Sequence, residues 1–398
     1  MKNTQPYSWW LLPCLLTTLP GCLSPITLHH AVSAYDDAIT STISRQLLTN
    51  IARARHHQPI HFTGVSNVAA TFDFRFSAGA TPALGGLAGT TLMPLFGGSV
   101  AENPTISIVP IEGEEFTRRL LTPFQQNKFM LLLRQRFDID LLLRLMAQEV
   151  RIQESTSQTT YRNTPSDMTG YETFRKVVLH LSAIQDRDQL YAEPLNLEYD
   201  WTLPAAAVSA EGFHTLAKEF VIHHDRQNDL FILHQKKQGP ILITNYDPGI
   251  LSEKERAQLS KEAEGWEPND VAFDIRPGGM GGEWPMKGIF RLRSFHAIIS
   301  ALGRSLSDEP EYHVEKDLRT LPVSRDENPV ATMALLVTDT PSPNTDLSIR
   351  SHGRHYAVDT QGQQARWNRD AFQMLYLLFQ MTVTDLPRTG APGITIAK

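Results

Sequence analysis

Asn67-Val68-Ala69-Ala70-Thr71-Phe72-Asp73-Phe74-Arg75-Phe76-Ser77-Ala78 places an apolar residue at every even position and a mostly polar one at every odd position. A period of two is what a strand with one greasy and one wet face requires. From Gly79 to Val100 the chain then carries no charge, and Thr105-Ile106-Ser107-Ile108-Val109-Pro110 has the look of a returning strand. The spacing predicts a long β-hairpin whose uncharged connection is uncommon inside a compact domain. Three readings stay open. The hairpin is an ordinary one whose phenylalanine face covers local helices, or its tip is disordered. Alternatively, the ribbon over 67–109 is given by several copies to a shared transmembrane barrel or dips its tip into a bilayer, because such a wall alternates an outward apolar with an inward polar residue.

Upstream, Ile39, Ile43, Leu47 and Ile51 recur every four residues, with Asp36, Thr40, Arg45 and Arg53 on other faces, so residues 35–54 are expected to form an amphipathic helix. Before it, residues 22–30 are expected to be a short tether. The first 35 residues carry a single charge, Lys2, and the apolar run Trp9 to Leu16, a pattern that suits a secretory signal over 1–21. That run is interrupted by Pro13 and is shorter than the roughly 20 residues a spanning helix needs. It ends in Leu19-Pro20-Gly21-Cys22, which resembles the lipobox of bacterial lipoproteins, with Cys22 as the expected lipidation site. Leu23 and Ser24 follow, without the Asp that marks inner-membrane retention in enteric bacteria. The expected address is therefore the outer membrane, lipid-anchored and facing the periplasm. The two cysteines are Cys14, inside the signal, and Cys22. A chain cleaved before Cys22 would hold no disulfide, thiolate metal site or cysteine nucleophile.

Downstream, helices are expected at Glu112–Leu121 and from Asn127 to about Val150, and the region 31–152 reads as one unit of helix, hairpin and helices. The polar stretch 153–170 is expected to be a linker. Residues 171–398 read as a mixed strand and helix domain. Three helices there open on Phe174, Phe295 and Phe372, with Ser294 and Asn368 as candidate caps for the last two. A further helix opens on the capping box Ser252 to Glu255. Strands are expected around 231–234, 241–244, 331–338, 347–351 and 355–359. The fold class is α+β.

The composition, 41% hydrophobic and 20% charged, supports buried cores, and a net charge of −6 argues against nucleic acid as a partner. No Gly-x-Ser-x-Gly elbow, His-Glu-x-x-His helix or Walker loop occurs, so no catalytic residue, cofactor or metal is assigned. Pro277-Gly278-Gly279-Met280-Gly281-Gly282 lacks the Lys-Ser/Thr of a phosphate cradle and reads as a flexible turn. Histidines cluster at 29–30, 56–57 with 61, 223–224, and 352 with 355. Adjacent histidines point apart along helices and strands, so a surface or structural role is expected of them. Asp359, Arg350 and Arg354 are candidates to line a polar cleft.

Several segments resemble an uncharacterised family of bacterial lipoproteins. They are Gln46 to Arg55 with Pro59 and Val65-Ser66, Asn103-Pro104-Thr105, Pro110 to Gly113, Leu120 to Pro123, Leu292-Arg293-Ser294, and Arg350 to Asp359. Where that family often carries an aromatic pair and a Ser-Lys near the last hairpin, this chain has His355-Tyr356 and Asn368-Arg369. The resemblance implies location and shape. The expected function is thus a non-enzymatic structural or assembly component of an envelope complex, joined to the membrane by its lipid and to further copies or other envelope proteins. The alternative is a lipid-tethered enzyme or ligand-binding protein, favoured by a deep cleft with converging polar groups. An oligomeric pore built on 67–109 is the third.

Overall fold

The computed structural model describes residues 23–82, 92–154, 157–323, 327–341, 345, 347–383 and 396–397. The expected signal over 1–21, Cys22 and the hairpin tip at 83–91 lie outside them. The chain is α+β, and it separates into two units. One comprises Met1–Leu48, His61–Gly113 and Val383–Lys398; the other comprises Thr49–Ile60 and Glu114–Thr382.

In the first unit, helix α1 (Leu23–Arg55, whose last turns belong to the second unit) precedes strands β1 (Phe62–Pro82) and β2 (Leu92–Ile111). The strands pair antiparallel from Phe62 opposite Ile111 to Pro82 opposite Leu92, with a bulge between Val65 and Asn67, just ahead of the strict alternation. The side chain of Gln46 closes the base of the ribbon: its Oε1 accepts from the Thr63 amide at 2.7 Å and its Nε2 donates to the Thr63 carbonyl at 2.9 Å. The two-residue strand Ile396–Ala397 lies parallel to β1 at Phe72 and Asp73. Among the described residues, no other strand joins this sheet.

The second unit opens with α2 (Glu114–Leu121), α3 (Gln126–Arg134) and α4 (Ile139–Met146), followed by β3 (Ala147–Gln153), β4 (Gln158–Arg162) and α5 (Met168–Gln185). Next come β5 (Tyr191–Pro204), α6 (Ala210–Leu216), β6 (Val221–Asp225), β7 (Leu230–Thr244), α7 (Glu253–Ala263), β8 (Asp270–Ile275), β9 (Met286–Leu292) and α8 (Phe295–Ser305). The main sheet runs β4-β3-β9-β8-β7-β5, with β6 also on β7, and only β7 and β8 are parallel. Both of its faces are covered. Phe273 and Phe290 meet on one face at 5.0 Å between ring centroids, and Phe174 of α5 meets Phe290 edge-on at 6.2 Å. On the other, Ala272, Ile289, Leu242, Leu195 and Leu197 pack with Leu259 of α7. Every residue of β8 is consequently buried, as a strand between two layers must be. A second sheet, β10 (Leu335–Thr338), β12 (Arg354–Val358) and β11 (Ser348–Ser351), precedes α9 (Ala365–Thr382).

Several expectations need correction. Residues 23–30, read as tether, are helical and continue into α1. The stretch 153–170, read as a linker, holds β4 and the start of α5, because its polar residues pair with the edge of β3 and Asp167 caps the helix at the Gly170 amide. The unit boundary falls at Gly113/Glu114 rather than at 152, so the helices after the hairpin belong to the second unit. The helix expected to reach Val150 stops twice: Arg136 takes a positive φ of 63°, and Ala147–Gln153 becomes a strand between β4 and β9. Ser294 does cap α8, and the capping box on α7 is complete. Asn368 is no cap. It lies buried inside α9, donating to the Asp359 carbonyl and accepting from the Ala334 amide, and so pins the second sheet. The glycine turn at 277–282 is closely packed rather than loose. Gly281 has φ of 76°, and a Cβ there would lie 2.5 Å from Ile184 of α5.

Candidate functional site

In the second unit the start of α4 and the end of α5 are tied together by side chains. Asp138 caps α4, its Oδ1 accepting from the Asp140 amide at 2.9 Å and from Ser182 Oγ at 3.4 Å. Gln185 accepts from the Ile139 amide at 2.7 Å and donates to the Phe137 carbonyl at 3.2 Å. At this junction a cleft of about 870 Å³ opens. Leu133, Phe137, Leu141 and Trp367 give it an apolar wall, and Asp138, Asp186, Asp188, Glu327 and Asp370 line it with carboxylates. Burial, then the neighbouring Asp140, pushes Asp138 up to about 7; burial, then Glu327, pushes Asp186 up to about 6. Of the cleft's cations, Arg134 is paired with Glu193 at 3.1 Å and Arg366 with Asp370 at 3.8 Å. The cleft therefore sets two carboxyls of raised pKa, Asp138 and Asp186, near an apolar surface.

Behind it lies a buried charge network. Asp140 is fully buried, 4.0 Å from Arg144 and from Arg175, and neither of its carboxylate oxygens has a hydrogen-bond partner. Arg144, also fully buried, donates to the carbonyls of Pro329 and Val330 at 2.9 and 2.8 Å and to Thr332 Oγ1 at 3.1 Å, and it lies 3.5 Å from Glu311. Against the effect of burial, Arg144 holds Glu311 below the usual carboxylate range. Tyr171 donates to Glu311, and Arg175 donates to Asn328. His180 is bonded on both ring nitrogens, by Thr320 at 3.1 Å and the Gly281 carbonyl at 2.9 Å, while burial lowers its pKa. Apart from the bond to Gly281, these contacts hold Glu311, Thr320 and residues 328–332, which follow α8, against α4 and α5. An arginine at the centre of such a web is a structural bolt, because removing it strands its partners' charge in the interior.

The histidine groups meet in part. His56 packs against His352 with 4.2 Å between centroids and the rings tilted by 33°, and it sits 3.2 Å from the Tyr356 hydroxyl, while Gln58 reaches His352 at 3.0 Å. His57 pairs with Asp308 at 3.2 Å. His223 packs on His234, and His224 faces Asp229 at 3.3 Å. Among the described residues no group of three or more His, Cys, Asp and Glu is arranged to hold a metal ion. Arg354 turns to Asp339, while Asp359 caps the turn at Gln361, so these two are engaged apart from each other. Asp359 lines a second cleft, of about 760 Å³, without Arg350 or Arg354. Asp138, Asp140, Arg144 and Arg175 were not singled out in the sequence. The available signal was a set of charges inside otherwise apolar helices, as in Ile139-Asp140-Leu141-Leu142-Leu143-Arg144.

Among the described residues no helix is long and apolar enough to cross a membrane. Comparison with family models, with curated proteins and with solved structures found no match for this chain.

Proposed function

We propose that this chain is a lipid-anchored structural component of a bacterial envelope assembly, in which copies join through the β1–β2 ribbon. One observation carries this function: two strands of about twenty residues pair along their whole length, yet among the described residues the one further strand on their outer edges is the two-residue Ile396–Ala397. A lone two-stranded ribbon is marginal in water, and unpaired edges are templates for another strand. Pro82, Pro94, Pro104 and Pro110 lack an amide hydrogen, which thins the edges as donors and disfavours indiscriminate pairing. The lipobox at Leu19–Cys22 supports acylation of Cys22 and a periplasm-facing position at the outer membrane.

Two differently tagged copies, expressed together and extracted from membranes in mild detergent, test this. The tags are expected to co-purify, and replacing 66–108 by a short turn is expected to abolish co-purification. Tags that never co-purify, with no other envelope protein retained, would overturn it. Labelled palmitate is expected to enter the parent chain and not Cys22→Ala.

A further inference from the structure

The strand register places charge on the ribbon in a narrow zone. Within the described parts of β1 and β2 the charged residues are Asp73, Arg75 and Glu102. Pairing sets Phe72 opposite Glu102, Asp73 opposite Ala101 and Arg75 opposite Ser99, so all three lie within four adjacent rungs. Beyond them, from Phe76 opposite Gly98 to Pro82 opposite Leu92, the paired rungs carry no charge, and the connecting residues 83–91 carry none in the sequence either. At about 3.4 Å per rung the seven uncharged pairs extend about 24 Å along the strands, which at the roughly 35–45° tilt of barrel strands rises about 17–20 Å into an apolar band about 25 Å tall.

The same register keeps the period of two in phase across both strands. Phe74, Phe76 and Ala78 share rungs with Val100, Gly98 and Phe96, whereas Arg75, Ser77 and Gly79 share rungs with Ser99, Gly97 and Leu95. Slipping by one residue would mix the sets, because partners on one rung lie on the same side of a ribbon. One row is therefore apolar and aromatic or small, the other mostly polar or small.

We propose that the distal part of the hairpin, beyond the rungs of Asp73, Arg75 and Glu102, enters a lipid bilayer, and that hairpins of neighbouring copies close there into a shared wall. This rests on assembly through the ribbon and adds where it takes place. Hydrocarbon supplies what the proline-thinned edges lack in water. An unpaired backbone group there costs several kcal/mol, so adjacent hairpins are driven to pair edge to edge. Asp73, Arg75 and Glu102 would sit at the level of the headgroups.

Single-cysteine variants of the full acylated chain test the proposal, since the sulfur of Cys22 is taken up by the lipid. Positions 74, 76, 96, 75, 77 and 97, with 67 and 107 nearer the base, are labelled with an environment-sensitive fluorophore. The proteins are then reconstituted into vesicles of phosphatidylethanolamine and phosphatidylglycerol containing nitroxide-bearing lipids. Probes at 74, 76 and 96 are expected to be quenched at least twofold more than those at 75, 77 and 97, and probes at 67 and 107 to stay unquenched. Chemical cross-linking of the same vesicles is expected to join copies. Absence of quenching at every position, with cross-linking intact, overturns entry into the bilayer and leaves assembly standing. Equal quenching at odd and even positions overturns a wall with one lipid-facing row. Alternating quenching without cross-links overturns the shared wall.

Discussion

The ribbon and the α+β unit use backbone pairing in opposite ways. In the unit, β8 and β9 are flanked by further strands, covered by α5 on one side and α7 on the other, and joined by Asp270 and Arg291 through two hydrogen bonds of 2.9 Å. In the ribbon, the same kind of ladder continues for about twenty rungs with almost no neighbouring strand among the described residues. A sheet with both faces buried is stabilised from within, at roughly 25 cal/mol for each Å² of apolar surface removed from water. A two-stranded ribbon has to draw much of its stability from something outside the chain. The difference separates a part that folds from a part that associates.

The sharpest way to break this contrast is to remove the ribbon. Replacing 66–108 by a short turn is expected to abolish self-association while leaving the unfolding midpoint of the α+β unit within about 2 °C, measured by calorimetry. A drop of more than about 10 °C would mean that the unit depends on the ribbon. Next in size is Arg144→Ala, which leaves Glu311 without its 3.5 Å partner and Asp140 with Arg175 in place of two arginines. Denaturant unfolding is expected to show a loss of about 3–5 kcal/mol, with membrane targeting unchanged in whatever protein remains folded. A smaller effect is expected from Gly303→Ala, because a Cβ on Gly303 would come within 2.6 Å of the Ala54 Cβ and 2.7 Å of the Arg55 amide nitrogen. Forcing α8 away from the end of α1 is expected to cost about 1–3 kcal/mol by the same measurement.

The smallest expected effect concerns pH. Asp138 has its pKa raised to about 7 by burial and then by Asp140, against 3.8 as its ordinary value. Between those values the folded state holds a proton that the unfolded chain has released, so this residue makes stability fall as pH rises from about 4 to 7. Asp186, raised to about 6, acts in the same direction, though its exposure weakens the effect. Asp138→Asn keeps a good helix cap and removes the titration. It is expected to flatten the profile and to gain about 1–2 kcal/mol at pH 7.5 relative to the parent. Parallel profiles for the two proteins would show that Asp138 titrates normally.

Much of the fold was legible where a local pattern has a local cause. The alternation from Asn67 to Ala78 announces β1, the box at Ser252 and Glu255 announces α7, and Ser294 announces α8. The strand β3 was missed because it follows the leucine-rich turn of α4 directly. Its partners β4 and β9, one of them about 140 residues away, decide its conformation. The cleft was hidden for the same reason. The shift at Asp138 depends on desolvation by packed elements and on Asp140, and Asp186 feels Glu327 from a distant segment. Asn368 looked like a cap because it stands near an apolar stripe, but α9 begins earlier, at Ala365, and turns that side chain inward to the Ala334 amide.

The most direct measurement is the particle mass of the acylated full chain, extracted in mild detergent and corrected for bound detergent by light scattering. A mass of several protomers that collapses to one when 66–108 is replaced by a turn is predicted. A mass of one protomer in the parent chain, or an unchanged multiple after the ribbon is gone, would contradict the role assigned to β1 and β2.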